Sequence, residues 1–301
     1  MLDGVSLDQL RTFIAAVDEG SFSAAARKLN RVQSAVSSWI SGLEEQIGVT
    51  LFDRSGRYPR LTAEGVLLLA DARNIVAGVD ILKARAKLMS SGLEPELSVV
   101  VDVFFPSAAI ADVARDFALH FPYTPLRLYV EGLGAAYQPV LDRRCSLGIL
   151  GALPIAFPTL TSARLGEVAL VMVASRSHPL AAFGGSIPKS ELARHIQLVL
   201  TDRSSLMAGQ DYGVMSPQTW RLADLSAKHA FLLKGVGWGS MPLHMIEHDL
   251  ATGALLVLNV EDIPEGGLKL PMSAVYPNVA PPGPAGQWFI ERLKLYPGGA
   301  V

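Results

Sequence analysis

Small polar side chains recur at helical spacing between residues 33 and 41. The set comprises Gln33, Ser34, Ser37, Ser38 and Ser41. Side chains of this size let a helix enter the major groove of double-stranded DNA, where amide and hydroxyl groups can bond to base edges or phosphates. The spacing therefore favours a helix that reads DNA with one face.

Basic side chains flank this polar face. No acid occurs from Ser21 to Leu43, and arginines follow in the next loop. The basic residues that we expect near an anionic partner include Arg31, Arg54 and Arg57. A three-helix bundle with a solvated serine face would show the same helical pattern, so the pattern alone leaves both interpretations open.

Composition limits the class of protein. The chain has 301 residues, a formal net charge of −2 and 50% hydrophobic residues, which indicates a folded protein with two or three domains. The single cysteine, Cys145, excludes an intramolecular disulfide, and the six histidines show neither metal-ligand spacing nor a nucleophile–base pair. We expect no enzyme activity, no cofactor and no metal. Without signal-peptide features or a membrane-length apolar run, we expect a soluble, cytoplasmic protein.

The N-terminal region reads as three short helices. Ser6 and Gln9 form a capping box for the first, and Ser21 can cap the second. The third extends from about Gln33 to Ile47, with Gly48 placed to end it in the left-handed conformation. The short turn before the third helix makes this a helix-turn-helix candidate.

A longer helix is predicted from about residue 62 to residue 90. Apolar residues repeat in it with alternating steps of four and three, the seam of a coiled coil. The seam residues that we assign to dimerisation are Leu68, Ala72, Ile75, Val79 and Leu82. The alternative is that the seam packs against the chain's own C-terminal part.

From residue 97 onward, short β-branched runs alternate with helical stretches. This alternation predicts an α/β domain with a largely parallel sheet. The turn before Ser107 opens one such helix, and a helix N-terminus in a cleft can bind an anionic or polar group.

The N-terminal pattern resembles that of LysR-type transcriptional regulators. The matching residues are Leu10, Phe13, Ser21, Phe22, Ala25, Ala26, Leu29, Gln33, Ser34, Ala35, Val36, Ser37, Ile40, Leu43, Glu44, Gly48, Leu51, Phe52, Arg54, Leu61, Thr62 and Gly65. The resemblance implies a winged helix-turn-helix DNA-binding domain over residues 1–60 and a linker, or dimerisation, helix over 61–92. It implies an effector-binding domain over 93–301 that resembles type 2 periplasmic binding proteins. We place subdomain I at 93–164 and 269–301, and subdomain II at 165–268.

The resemblance also implies site residues. Gln33, Ser34, Ser37 and the following residue would enter the groove, while the loop carrying Arg54 and Arg57 would form a wing on the DNA backbone. By family position, the effector cleft would be formed by Phe105, Ser107, Gly132, Thr201 and Ser204. Trp220 and Trp238 are further candidates, although each fits a core position better.

Two departures from the family pattern affect DNA reading. Val32 occupies a position where a Ser or Thr usually caps the third helix, so we expect no side-chain cap there. Ser38 and Trp39 replace longer polar residues, so we expect few direct base contacts and a larger part for DNA shape.

The sequence thus predicts a ligand-responsive regulator. It would bind a promoter operator as a homodimer or homotetramer, and an anionic or polar small-molecule effector in the cleft would change its DNA binding. The alternative is an α/β solute-binding protein or enzyme with a helical head that does not bind DNA.

Overall fold

The computed structural model describes residues 4–56, 58–90, 92–206 and 213–296. The chain divides into two compact units, Met1–Ser90 and Ser91–Val301, called unit 1 and unit 2. The boundary lies two residues before the expected start of the effector-binding domain. In the described ranges, no helix is both long enough and apolar enough to cross a membrane.

Unit 1 is a helical head with a small hairpin and a long helix. Its elements are α1 Leu7–Asp18, α2 Phe22–Lys28, α3 Gln33–Ile47, β1 Phe52–Asp53, β2 Arg60–Leu61 and α4 Ala63–Ser90. The caps are those expected: Ser6 and Gln9 form the capping box, Ser21 accepts from the Ala24 N–H, and Gly48 is left-handed with φ 73°. Local side-chain chemistry therefore sets where these helices begin and end.

Aromatic and small side chains form the core of the head. Phe52 of β1 meets Phe13 and Phe22 edge to face, with ring centroids 5.6 and 5.2 Å apart. The other buried residues are Ala15, Ala16, Ala25, Ala26, Val36, Ile40, Leu43, Leu51 and Ala72. This core fixes α3 with its apolar side inward and its serine side outward.

The start of α4 belongs to this core, which corrects part of the dimerisation assignment. Ala72 is 3% exposed, so its side chain is covered within the chain and is not available to a second copy, while Leu68 is half-buried against the same core. Two ion pairs join α1 to the same side of α4: Arg11–Asp80 at 2.8 Å and Asp18–Arg73 at 2.6 Å. Ile75 and Leu82 are exposed, and Val79 is half-buried.

Unit 2 is a mixed sheet with helices packed against it. Its strands are β3 Leu97–Asp102, β4 Leu126–Glu131, β5 Leu147–Gly151, β6 Leu160–Ser175, β7 Gln197–Leu200, β8 Thr219–Leu222, β9 Trp238–Pro242, β10 Leu255–Val257 and β11 Leu268–Pro277. Its helices are α5 Ser107–His120, α6 Gly134–Leu141, α7 Lys189–Leu192, α8 Leu225–Leu233, α9 Leu243–Ala251 and α10 Pro284–Lys294, with a 3₁₀ turn at Pro179–Ala182.

The strand order is β4-β3-β5-β11-β6-β9-β7-β8, with β10 paired to β6. β3 pairs in parallel with β4 and β5, and β7 pairs in parallel with β8 and β9. The central strands β6 and β11 are antiparallel to each other and to their other neighbours. The prediction of a largely parallel sheet was therefore wrong in the middle, where these two long strands join a first half to a second half.

The pairing of β6 with β11 shifts register between Met272 and Ser273, opposite Gly166 and Arg164. On β6 this register shift lies beside residue 164, where we predict a subdomain boundary. On β11 it lies four residues after residue 268, where we predict the other boundary, so both bounds stay predictions. The register shift divides the sheet into a first half, which contains β3, β4 and β5, and a second half, which contains β7, β8 and β9.

Gly65, in the first turn of α4, lies against the hairpin so closely that a Cβ would overlap the Leu51 carbonyl oxygen. We predict that Gly65→Ala lowers the free energy of unfolding of the head by about 1–3 kcal/mol, the usual cost of overpacking. Gly42→Ala, on α3, is the matched control because its Cβ would meet only Gln9 Nε2 at 3.4 Å. The control should gain about 0.5–1 kcal/mol from helix propensity. Urea unfolding followed by circular dichroism measures both; equal stability of the two variants would contradict the close approach.

Candidate functional site

The outward face of α3 carries the polar side chains that the sequence predicts. Gln33, Ser34, Ser38 and Ser41 are exposed, and Ser37 is half-buried. Val36, Ile40 and Leu43 are buried on the opposite side. The helix therefore presents a surface free of large side chains, as a groove-reading helix requires.

The first turn of α3 has no side-chain cap. Val32 occupies the N-cap position with extended backbone and makes no capping hydrogen bond. The first N–H groups of a helix have no partner within the helix, and here no capping side chain supplies one. The missing cap expected from the sequence is confirmed.

One carboxylate organises the hairpin beside α3. Glu44 Oε1 accepts from the N–H groups of Leu51 and Phe52 at 2.8 and 3.0 Å. Glu44 Oε2 pairs with Arg54 at 2.6 Å, and the same guanidinium donates to Ser41 Oγ at 3.1 Å. Arg54 is thus held in place at the edge of the polar face, and Ser41 serves partly to position it. The sequence pattern included Glu44 among the matching residues but did not reveal this role.

The other basic groups differ in their surroundings. The Arg31 guanidinium lies over the Trp39 ring, 5.5 Å from its centroid, so Trp39 packs against a basic group. Lys28 pairs with Glu19 at 2.7 Å, which raises the pKa of its ammonium group. Arg57 lies outside the described residues. Two predicted arginines, Arg31 and Arg54, therefore border the polar face.

Unit 2 contains a cavity of about 430 Å³ between the two halves of the sheet. Most of its wall is apolar, with Phe104, Leu133, Leu170, Met172, Leu198, Leu200, Leu268 and Leu270 among the lining residues. Leu133 has φ 56°, a left-handed conformation that costs energy for a leucine. The polar residues that line the cavity include Asp102, Thr201, Arg221, Lys228 and Ser240.

Lys228 is a buried cation in this wall. It lies on α8 and is 2% exposed, and its Nζ is 3.4 Å from Ser240 Oγ. Within the described ranges, no carboxylate forms an ion pair with it. Burial disfavours the charged form and lowers the pKa of Lys228 to about 8. The ammonium is therefore a desolvated cation that lines an open cavity.

Asp102 is a buried acid in the wall of the first half. It ends β3, is 3% exposed, and accepts from the N–H groups of Phe104 at 2.9 Å and Gly151 at 3.4 Å. Burial raises the pKa of Asp102 to about 6, and these two hydrogen bonds oppose the rise. The first-half wall of the cavity thus carries an acid, whereas the second-half wall carries Lys228, Arg221 and Asp202, whose two carboxylate oxygens already accept hydrogen bonds from Ala135 and Ser204.

The predicted effector residues divide into two groups. Thr201 and Ser204 line the cavity, although Ser204 Oγ already donates to Asp202 and accepts from the Leu206 N–H. Phe105, Ser107, Gly132 and Trp220 are not among the residues that line it, and their assignment to the effector site stays a prediction.

Backbone geometry explains why Phe105 and Ser107 do not line the cavity. The Phe105 N–H bonds to the Asp102 carbonyl, and this turn places Phe104 at the cavity while Phe105 packs against the core of the first half. Ser107 follows on the exposed first turn of α5. Which of the two adjacent phenylalanines faces the cavity therefore depends on this turn, and the residue pattern does not specify the turn.

Packing explains why Gly132 and Trp220 do not line the cavity. Gly132 fits between Val103 and Leu200 and borders a neighbouring groove. Trp220 lies on the edge strand β8, is 48% exposed, and contacts Phe231. Trp238, by contrast, is fully buried, as its preferred core interpretation requires.

Two polar contacts connect the halves beside the cavity. Asp202 Oδ1 accepts from the Ala135 N–H at 2.9 Å, in the first turn of α6. Arg203 lies 3.7 Å from Glu131, which ends β4. A change in the distance between the halves must alter both contacts.

Sequence reasoning missed Lys228 and Asp102. A signal for Lys228 existed, because it lies at helical spacing from two buried leucines, Leu225 and Leu232. A lysine on a buried helix face is rare without a partner or a function. Elsewhere in the described part of the chain, His, Cys, Asp and Glu residues form no cluster that could hold a metal ion. Cys145 is a buried thiol whose pKa burial raises to about 11, which fits a structural role.

Comparisons with known proteins agree with this architecture. Residues 7–66 match the family described as "Bacterial regulatory helix-turn-helix protein, lysR family", and residues 90–296 match "LysR substrate binding domain". The HTH-type transcriptional regulator AceR of Acinetobacter baumannii is 29% identical over 245 residues, which are 81% of this chain and 82% of AceR. The HTH-type transcriptional activator AllS of Klebsiella pneumoniae is 28% identical over 83% of this chain and 93% of its own.

Solved structures share the fold. A mutant of OxyR from Corynebacterium glutamicum aligns with a TM-score of 0.59 and 20% identity, over 96% of this chain and 92% of that one. CrgA, a LysR-type transcriptional regulator from Neisseria meningitidis, aligns with a TM-score of 0.50 and 23% identity, over 96% and 98% of the two chains.

We predict that Lys228→Met stabilises the protein at neutral pH. Burying an ammonium whose pKa falls from 10.5 to about 8 opposes folding, and removing it should raise the free energy of unfolding by about 1–3 kcal/mol. Because the folded-state pKa is the lower one, wild-type stability should rise between pH 8 and 10.5, while the variant lacks this rise. The gain should therefore shrink above pH 8 in urea unfolding measured across this range. A variant less stable than wild type at pH 7 would contradict the unpaired buried charge.

Proposed function

We propose that the chain, which belongs to the LysR family of bacterial helix-turn-helix regulators, binds a promoter operator as a homo-oligomer. A small molecule bound in the cavity of unit 2 changes the geometry of the complex between this oligomer and DNA. The chain is a DNA-binding transcriptional regulator with an effector-binding domain, and it is not an enzyme. We assign residues 1–60 to DNA reading, 61–92 to the linker helix and 93–301 to effector binding. The site of action is the cytoplasm, where the operator is.

The observation that carries DNA reading is the exposed polar face of α3 between Arg31 and Arg54. Serine hydroxyls and the Gln33 amide offer hydrogen bonds without bulk, and the two guanidinium groups suit phosphates on either side. Because Glu44 holds Arg54 in position, its side chain loses little entropy on binding DNA. Arg57 remains a proposed contact of the same loop.

The observation that supports an effector response is the position of the cavity between the two halves of the sheet. A ligand changes a conformational equilibrium only by the difference in its affinity for the two states. A molecule that contacts Asp102 in the first half and Lys228 in the second changes its contacts when the halves move. The Asp202–Ala135 and Arg203–Glu131 contacts join the two halves, so their lengths would change with this movement.

Assembly is assigned to the exposed apolar side of α4. Leu67 is 73% exposed and Leu82 is 66% exposed, with Val66, Ile75 and Ile81 also open to solvent. A soluble helix with large apolar side chains on the side away from its own core requires a cover, and a second copy of the same helix supplies one. We therefore propose that Ile75 and Leu82 lie at the interface between copies, with Val79 at its margin.

We predict that Arg54→Ala weakens DNA binding for all sequences and reduces the dependence of log affinity on log salt by about one ion, since one phosphate contact is lost. Arg164→Ala is the matched control, because Arg164 is an exposed arginine of unit 2. Fluorescence anisotropy with duplex DNA from 50 to 200 mM salt suits the measurement. An unchanged slope in Arg54→Ala would remove Arg54 from the DNA contacts.

We predict that Leu82→Asp dissociates the oligomer. An unpaired carboxylate buried in an apolar interface destabilises that interface by roughly several kcal/mol. Val279→Asp is the control, since Val279 is 74% exposed and belongs to unit 2. Analytical ultracentrifugation should show a smaller species for Leu82→Asp and the wild-type species for Val279→Asp. If Leu82→Asp keeps the wild-type mass, α4 does not carry the assembly.

A further inference from the structure

We propose that the cavity of unit 2 selects a small molecule with one anionic group, which pairs with Lys228, and a hydrogen-bond donor, which bonds to Asp102. The inference rests on the proposed function of this cavity as the effector site and adds the chemical class of the effector. Hydroxy and amino monocarboxylates are the simplest members of this class.

Lys228 lacks hydrogen-bond acceptors. An ammonium group has three donors, and among the described residues Lys228 has one long hydrogen bond, to Ser240 Oγ at 3.4 Å. Removing this charge from water without a counter-ion is costly, so a side chain with no electrostatic use would be replaced by an apolar one. An anionic ligand group supplies both the missing charge and the missing acceptors.

Asp102 can accept a hydrogen bond from a ligand. Its carboxylate accepts from the Phe104 and Gly151 N–H groups, and each oxygen retains a further lone pair. These bonds fix the carboxylate in the first-half wall. A ligand donor there gains a charge-assisted hydrogen bond, whereas a second ligand anion would be repelled.

The two ends therefore fix the orientation of the ligand. The anion is directed to the second half and the donor to the first, with an apolar body between them against Leu133, Leu170, Met172 and Leu270. A volume of about 430 Å³ is in the lower part of the range for ligand pockets of about 300–1,000 Å³, which suits a metabolite-sized molecule. Dicarboxylates and permanent dications fit this charge pattern poorly.

The test compares matched probes on the full-length protein without DNA. The probes are meta-hydroxybenzoate and a series of ω-hydroxy and ω-amino monocarboxylates, the carboxamide of each, and isophthalate as the dicarboxylate. Thermal unfolding detects binding, because a ligand of the folded state raises the melting temperature, and calorimetry then gives the affinity. We expect at least one monocarboxylate to bind, with its carboxamide weaker by about tenfold or more.

Variants assign each end of the ligand. Lys228→Met should weaken the bound monocarboxylate by about tenfold or more, and Lys234→Met, on the exposed end of α8, should leave its affinity unchanged. Asp102→Asn removes the repulsion in the first-half wall, so isophthalate should bind this variant more tightly than wild type. Asp102→Asn also keeps the size of the side chain, which limits structural change.

Several outcomes would overturn the proposal. The proposal is wrong if no monocarboxylate of the panel binds wild type or if the carboxamides bind as well as the acids. It is also wrong if Lys228→Met binds the monocarboxylate with the wild-type affinity. Equal binding of isophthalate to wild type and to Asp102→Asn would overturn the assigned orientation. A monocarboxylate that binds through Lys228 but leaves the DNA footprint unchanged would instead contradict the proposed function and leave the ligand class intact.

Discussion

The antiparallel pairing of β6 with β11 is the constraint on which the rest of unit 2 depends. These strands carry the chain from the first half of the sheet to the second, and their register shifts once, between Met272 and Ser273. On either side, parallel strands such as β3 and β7 end at the same cavity. The halves are thus continuous through two strands and otherwise meet through side chains, such as Asp202 against the start of α6. We infer that this geometry lets a small molecule act on the spacing between the halves.

The cavity contains groups that lower the stability of the fold. Lys228 and Asp102 are both almost fully buried, and burial disfavours the charge on each. Leu133 adds a left-handed backbone conformation at the same wall. Functional sites commonly retain features of this kind that packing alone would remove. In unit 1 the charges are arranged differently, because Glu44 satisfies two backbone N–H groups and Arg54 together.

Sequence-based expectations held where local chemistry determines structure. Ser6, Gln9, Ser21 and Gly48 act through residues within a few positions, so the helices of the head could be predicted, as could the exposed face of α3. The seam of α4 could not be resolved, because apolar residues occur all around that helix and only contact with α1 shows that Ala72 lies inward. Phe105 and Ser107 do not line the cavity, because a single turn after Asp102 decides which neighbouring residue faces it. Lys228 requires knowledge of which strands cross, a long-range property that no local pattern contains.

The central claim is that the polar face of α3 reads a specific DNA sequence. The most direct measurement is to pass random double-stranded DNA fragments over the purified full-length protein and to sequence those retained, for wild type and for Ser38→Glu. Ser38 is exposed on the reading face, so the added charge should repel DNA without disturbing the core. The account predicts that wild type enriches one short sequence with two-fold symmetry and that the variant does not. Retained fragments with no shared sequence, or the same enriched sequence for both proteins, would contradict it.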